Sequence, residues 1–145
     1  MKTTLNSTIL ILIVASLIIF SWSGLTVAAA KPLRVEILYM NHGPLRPTIA
    51  KIKTLLNNYQ KTIQASWYDV NQQSGHDFMQ KHKLNGHIPL LILVNGQSEF
   101  SIDGRKVIMQ GFPTGASPFK QVEGNWSLND LRILFDQQIQ HQQKR

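Results

Sequence analysis

Residues 33–40, "LRVEILYM", set Val35, Ile37 and Tyr39 on one face of an extended chain, which predicts a β-strand. After the corner "NHGPLRP" (41–47), apolar residues fall at Leu45, Ile49, Ile52, Leu56 and Tyr59. Steps of four, three, four and three make one face of a helix. Pro44 and Pro47 belong in or before its first turn, where a missing N–H costs little. "TIQASWYDV" predicts a second strand, with Ile63, Ala65 and Trp67 alternating against polar neighbours. Ser74 and Asp77 suggest a capping box for a short helix carrying Phe78, Met79 and His82, with Gly86 as its left-handed C-terminal cap. "PLLILVNG" is a buried strand ending in an Asn-Gly turn, and Asp103-Gly104 centres a hairpin near residues 99–109. "GFPTGASPFKQVEGN" is a loop. Ser127 and Asp130 then open a last helix with Leu131, Leu134, Phe135 and Ile139 inward, and the Gln-rich end "QQIQHQQ" is expected to fray.

A strand–helix–strand unit implies parallel neighbours, and the later hairpin implies antiparallel pairing. The expected architecture is α/β, a mixed central sheet flanked by helices.

The first thirty residues differ in kind. Lys2 is their only charge, Ile9 to Phe20 is apolar apart from Ser16, and Ala28-Ala29-Ala30 offers a small-residue cleavage site. This reads as a signal peptide over 1–30, with an N-terminal membrane anchor over 9–30 as the alternative. Either way residues 31–145 form one exported domain, periplasmic or secreted, that meets a membrane only if 9–30 remain as an anchor. Leaving Lys2 aside, 14 basic side chains face 8 acidic ones, a net of +6. The basic residues are scattered, which describes a solvated surface and no nucleic-acid partner. The absence of cysteine excludes thiol–disulfide chemistry and thiolate metal sites.

The strand–helix order and two of its corners resemble the thioredoxin fold. "HGPL" resembles that family's Cys-Gly-Pro-Cys turn, with His42 and Leu45 at the cysteine positions around Gly43 and Pro44. "WYDVNQQSGHDFMQKHKLNGHIPLLILVNG" resembles its central stretch, and the last helix matches in place and pattern. The likeness covers most of residues 33–139. It implies a cis Ile88-Pro89 bond facing the corner, with His87 and Ile88 near His42. It does not imply dithiol activity, because both active-site cysteines are missing.

These residues define a candidate binding groove: His42, Gly43, Pro44, Leu45, His87, Ile88 and Pro89. The family resemblance implies that it takes a protein or extended peptide by strand addition. Phe112, Pro113 and Phe119 either extend it or anchor their loop. A second reading puts copper or zinc on His42 and His87 with Met40, since imidazole and thioether suit copper. A third is a membrane-tethered assembly protein. His76, His82 and His141 read as surface residues. No cofactor and no catalytic residue is assigned: Ser74, His76 and Asp77 lack a nucleophile turn, the acids are dispersed, and no phosphate-binding glycine loop is present. The chain leans away from being an enzyme.

Overall fold

The computed structural model describes residues 31–117 and 119–144. The signal or anchor segment therefore lies outside the described residues. Strand β1 (Leu33–Tyr39) runs at the centre of a three-stranded mixed sheet. On one side β2 (Ile63–Asp69) pairs parallel to it, with Val35 beside Ala65 and Ile37 beside Trp67. On the other, β3 (Leu90–Val94) pairs antiparallel, with Ile37 beside Ile92. The crossover between β1 and β2 is helix α1 (Arg46–Asn57), and α2 (Gln73–Lys81) links β2 to β3.

Parity along β1 divides the core into two layers. Leu33, Val35 and Ile37 join Ile49, Ile52 and Leu56 of α1 and Leu131, Leu134 and Phe135 of α3 (Leu128–Gln143). Leu38 points the other way, into a smaller cluster with Phe78 of α2 and with Ile88, Leu91 and Leu93. Glu36 is buried beside Leu93, its carboxylate 3.5 Å from the Arg34 guanidinium. Two helices thus cover one face of the sheet and one covers the other.

Asn95 and Gly96, both at positive φ, turn the chain out of β3. The hairpin β4 (Glu99–Ile102) and β5 (Arg105–Ile108) follows, closed by Asp103-Gly104 with the same backbone signature. Past β5 the chain lies antiparallel along β3, where Ile92 N–H donates to Met109 O and Gly111 N–H to Leu90 O, both at 2.8 Å. Ser127 and Asp130 make the expected capping box of α3.

Four expectations need correction. Helix α2 starts at Gln73 without a side-chain cap, because an Asp69–Asn71 side-chain turn sets its entry instead of Ser74. Gly75 is there for room: a Cβ would collide with the Asp69 carbonyl oxygen. At its C-terminus the left-handed residue is Lys83, φ 53°, not Gly86. Leu84 N–H reaches Met79 O and Lys83 N–H reaches Gln80 O, a Schellman pair that places Leu84 on the core beside Met79. The last helix also continues through "QQIQHQQ", since Ile139 packs on the larger core cluster. Finally, the Ile88–Pro89 bond is trans, and no peptide bond among the described residues is cis. In that geometry Ile88 sits inside the smaller core cluster and does not face the corner.

Candidate functional site

The corner after β1 is a short 3₁₀ turn, Gly43–Leu45, running directly into α1 with Pro47 in its first turn. Leu45 N–H donates to His42 O at 3.1 Å, closing the turn. His42, Gly43 and Pro44 are exposed, whereas Leu45 is fully buried and belongs to the core. Gly43 has neither a positive φ nor a close neighbour on its side-chain side. The corner therefore offers one imidazole and a proline ring to solvent, on a buried leucine peg.

Pro89 meets this corner through backbone: Met40 N–H donates to Pro89 O at 2.9 Å. The preceding segment, residues 85–88, makes no backbone hydrogen bond to other described residues. Its His87 is exposed. It opens, with Pro89, onto a cleft of ≈ 400 Å³ whose opposite wall is Gln110, Gly111 and residues 121–125. Met40 lines a separate, smaller hollow with Tyr39, Arg46 and Lys53. Of the groups considered for copper or zinc, His87 and Met40 thus line different hollows, and among the described residues no three His, Asp or Glu side chains converge on a metal position.

The far wall of the cleft is rigidly built. Phe112 bonds across the loop on both sides of Glu123, donating its N–H to Val122 O at 2.9 Å and accepting from Gly124 N–H at 2.7 Å. Gly111 and Gly124 permit this approach, since a Cβ on Gly124 would strike the Gln110 carbonyl. The buried Trp126 indole N–H bonds to the Gln110 and Gly111 carbonyls at 3.2 and 3.3 Å. Asn125 continues the ladder of β5 with its side-chain amide, accepting from Ile108 N–H and donating to Lys106 O, each at 2.8 Å. Glu123 accepts from Gly115 N–H at 3.0 Å, so the carboxylate that borders the cleft also holds the outer loop. Phe112 and Pro113 are buried and anchor this loop, while Phe119 is 60% exposed next to it.

Of the seven groove residues expected from sequence, His87 and Pro89 line the cleft, His42, Gly43 and Pro44 form a neighbouring exposed corner, and Leu45 and Ile88 are core. Gln110, Gln121, Glu123 and Asn125 were not singled out from the sequence. The one available signal was the glycine pair Gly111 and Gly124, flanking a long loop before a tryptophan. What the arrangement offers chemically is an open trough of mixed lining, with amide side chains on one wall and the unpaired 85–88 backbone beside the other, suited to an extended ligand.

No family model matches this chain, and no curated protein or solved structure matches it.

Proposed function

We propose that residues 31–145 are an exported, redox-inactive thioredoxin-like domain that binds a protein segment in extended form along the cleft beside Pro89. The fold part rests on the strand order β2-β1-β3, the parallel and antiparallel pairings, and the division of helices two to one across the sheet. Export rests on the charged, apolar and small-residue sequence of 1–30. Redox inactivity follows from the lack of cysteine.

The observation that carries the binding reading is the cleft itself. Its near side is His87 and Pro89, next to the segment 85–88 that makes no backbone hydrogen bond to other described residues, and its far wall is fixed by Trp126 and Asn125. An extended peptide lying there gains main-chain bonds from segment 85–88 and side-chain contacts from Gln110 and Gln121, at little ordering cost to the protein.

The test uses a displayed library of random linear peptides selected against the protein, followed by amide spectra. Selected peptides are expected to shift the signals of Gly86 to Ile88 and of residues 121–125, and to lose binding to the Gln110→Arg, Gln121→Arg double variant. Peptides whose shifts fall elsewhere, or whose binding survives that variant, would sink the reading.

A further inference from the structure

The opposite edge of the sheet is open. Among the described residues no strand pairs with the outer side of β2. Leu33 N–H bonds to Thr62 O and Val70 N–H to Tyr39 O, so the even-numbered residues of β2 serve the parallel ladder with β1. The N–H and C=O groups of Ala65 and Trp67 consequently point outward. Exposed edges are ordinarily protected by charge, proline or a bulge. From Thr62 to Tyr68 this one has none of the three.

Beside the edge lies a groove of ≈ 420 Å³ lined by Lys53 and Leu56 of α1 and by Ile63, Ala65 and Trp67. Its tryptophan is held in place: Tyr39 meets it edge-on at 5.7 Å between ring centres, and the Lys53 ammonium sits 5.2 Å from its centre. Ala65, central on the strand, is exposed and small.

We infer that this edge pairs with the β2 edge of a second copy of the chain, antiparallel about Ala65, giving a two-fold dimer with one continuous sheet. Three features select a second copy as the occupant. The outward groups are the odd-numbered residues, so an Ala65–Ala65 pair exchanges both of its hydrogen bonds, and Trp67 N–H meets Ile63 O of the other strand. In that register each Trp67 lies opposite Ile63, an aromatic–β-branched pair, with alanines between them leaving room. At the strand ends, Lys61 of one copy, just before β2, comes opposite Asp69 of the other, its last residue, twice by symmetry. The cleft beside Pro89 lies across the sheet and stays open in both copies, so this dimer stands or falls separately from peptide binding.

Because the chain has no cysteine, one introduced thiol reports the register. The chain is expressed from Met1 as the wild type, as Ala65→Cys and as Ser101→Cys, an exposed position on β4 away from the edge. Mild oxidation is expected to convert most of Ala65→Cys to a species of twice the monomer mass, with Ser101→Cys remaining single. Light scattering of the purified wild type should give a dimer. Ala65→Pro should be monomeric yet folded, because that N–H serves no bond within the subunit. Lys61→Glu, which sets two like-charge pairs in place of two opposite ones, should raise the dimer dissociation constant about tenfold. A monomeric wild type, or Ala65→Cys crosslinking no better than Ser101→Cys, would overturn the proposal. Should Ala65→Pro fail to fold, the Lys61→Glu shift decides in its place.

Discussion

Asp130 ties three parts of the molecule together, and replacing it should cost far more than its place in the first turn of a helix suggests. The side chain is buried. One carboxylate oxygen accepts from the Ser127 N–H and hydroxyl, each at 2.8 Å, completing the capping box of α3. The other accepts from the Arg105 guanidinium of β5 at 2.6 Å. Losing such a cap costs roughly 1 kcal/mol. Arg105 is 57% exposed, so its ion pair is screened and contributes under about 1 kcal/mol. Asp130→Ala should therefore destabilise by about 2 kcal/mol, near 8 °C in Tm for a domain of about 115 residues. Arg105→Ala should cost about 0.5–1 kcal/mol, with most of it vanishing in the Asp130→Ala background. Asp130→Asn, which keeps an acceptor for Ser127, should fall between. Urea unfolding followed by the fluorescence of the fully buried Trp126 measures all four variants against the wild type. If Asp130→Ala costs no more than Arg105→Ala, or the two losses simply add, the carboxylate does not couple the hairpin to the helix.

Two other outcomes follow from single side chains. Tyr59 is pushed up to about 12, chiefly by burial and then by its 2.7 Å hydrogen bond to Asp136 and the carboxylate's charge. Its raised pKa means that its contribution to stability is complete below pH 10 and is lost as pH rises from 10 toward 12. Absorbance at the phenolate band should show a late titration step that Tyr59→Phe removes, and a Tyr59 that ionises near 10 would contradict the packing. Gly43→Ala should be neutral or stabilise by roughly 0.4–1 kcal/mol, because the position has a negative φ and open space. A loss of stability in thermal melts would mean that the corner is strained after all.

Much of the fold was legible because local rules and tertiary packing agree. The alternation of β1, the apolar run of β3, the Asn95-Gly96 and Asp103-Gly104 turns and the Ser127–Asp130 box each encode their own geometry within a few residues. The errors fall where a distant partner decides. Gly86 has the preferred residue type for a left-handed cap, but the Leu84 N–H bond to Met79 O and the packing of half-buried Leu84 on the smaller cluster set the cap at Lys83, at the cost of a non-glycine residue in that conformation. The Gln-rich tail lacks strong amphipathic pattern, yet Ile139 finds the core and the helix continues. For α2, the side-chain acceptor is Asp69 at the end of the previous strand, which holds Asn71 in the turn before an uncapped helix, outside the window in which a capping box is sought.

The site was less legible for a related reason. The corner and the Pro89 segment stand out as short motifs, and they do meet, through the Met40–Pro89 bond. Which of their residues face outward depends on the layers beneath them. Leu45 follows the apolar stripe of α1 inward, and Ile88 fills the space that Leu38, Phe78 and Leu91 leave on the second face. What remains exposed at the corner is His42 with Gly43 and Pro44. The enclosing wall comes from residues 110–125, whose bonds link positions ten to nineteen apart with no periodic signature. Gly111 and Gly124 mark where those strands of loop cross, and Trp126 locks the crossing from below. The corner "HGPL" thus turns the chain from β1 into α1, while in the proposed reading the loop supplies the recognition surface. A change confined to "HGPL" should alter binding less than one in the 121–125 wall.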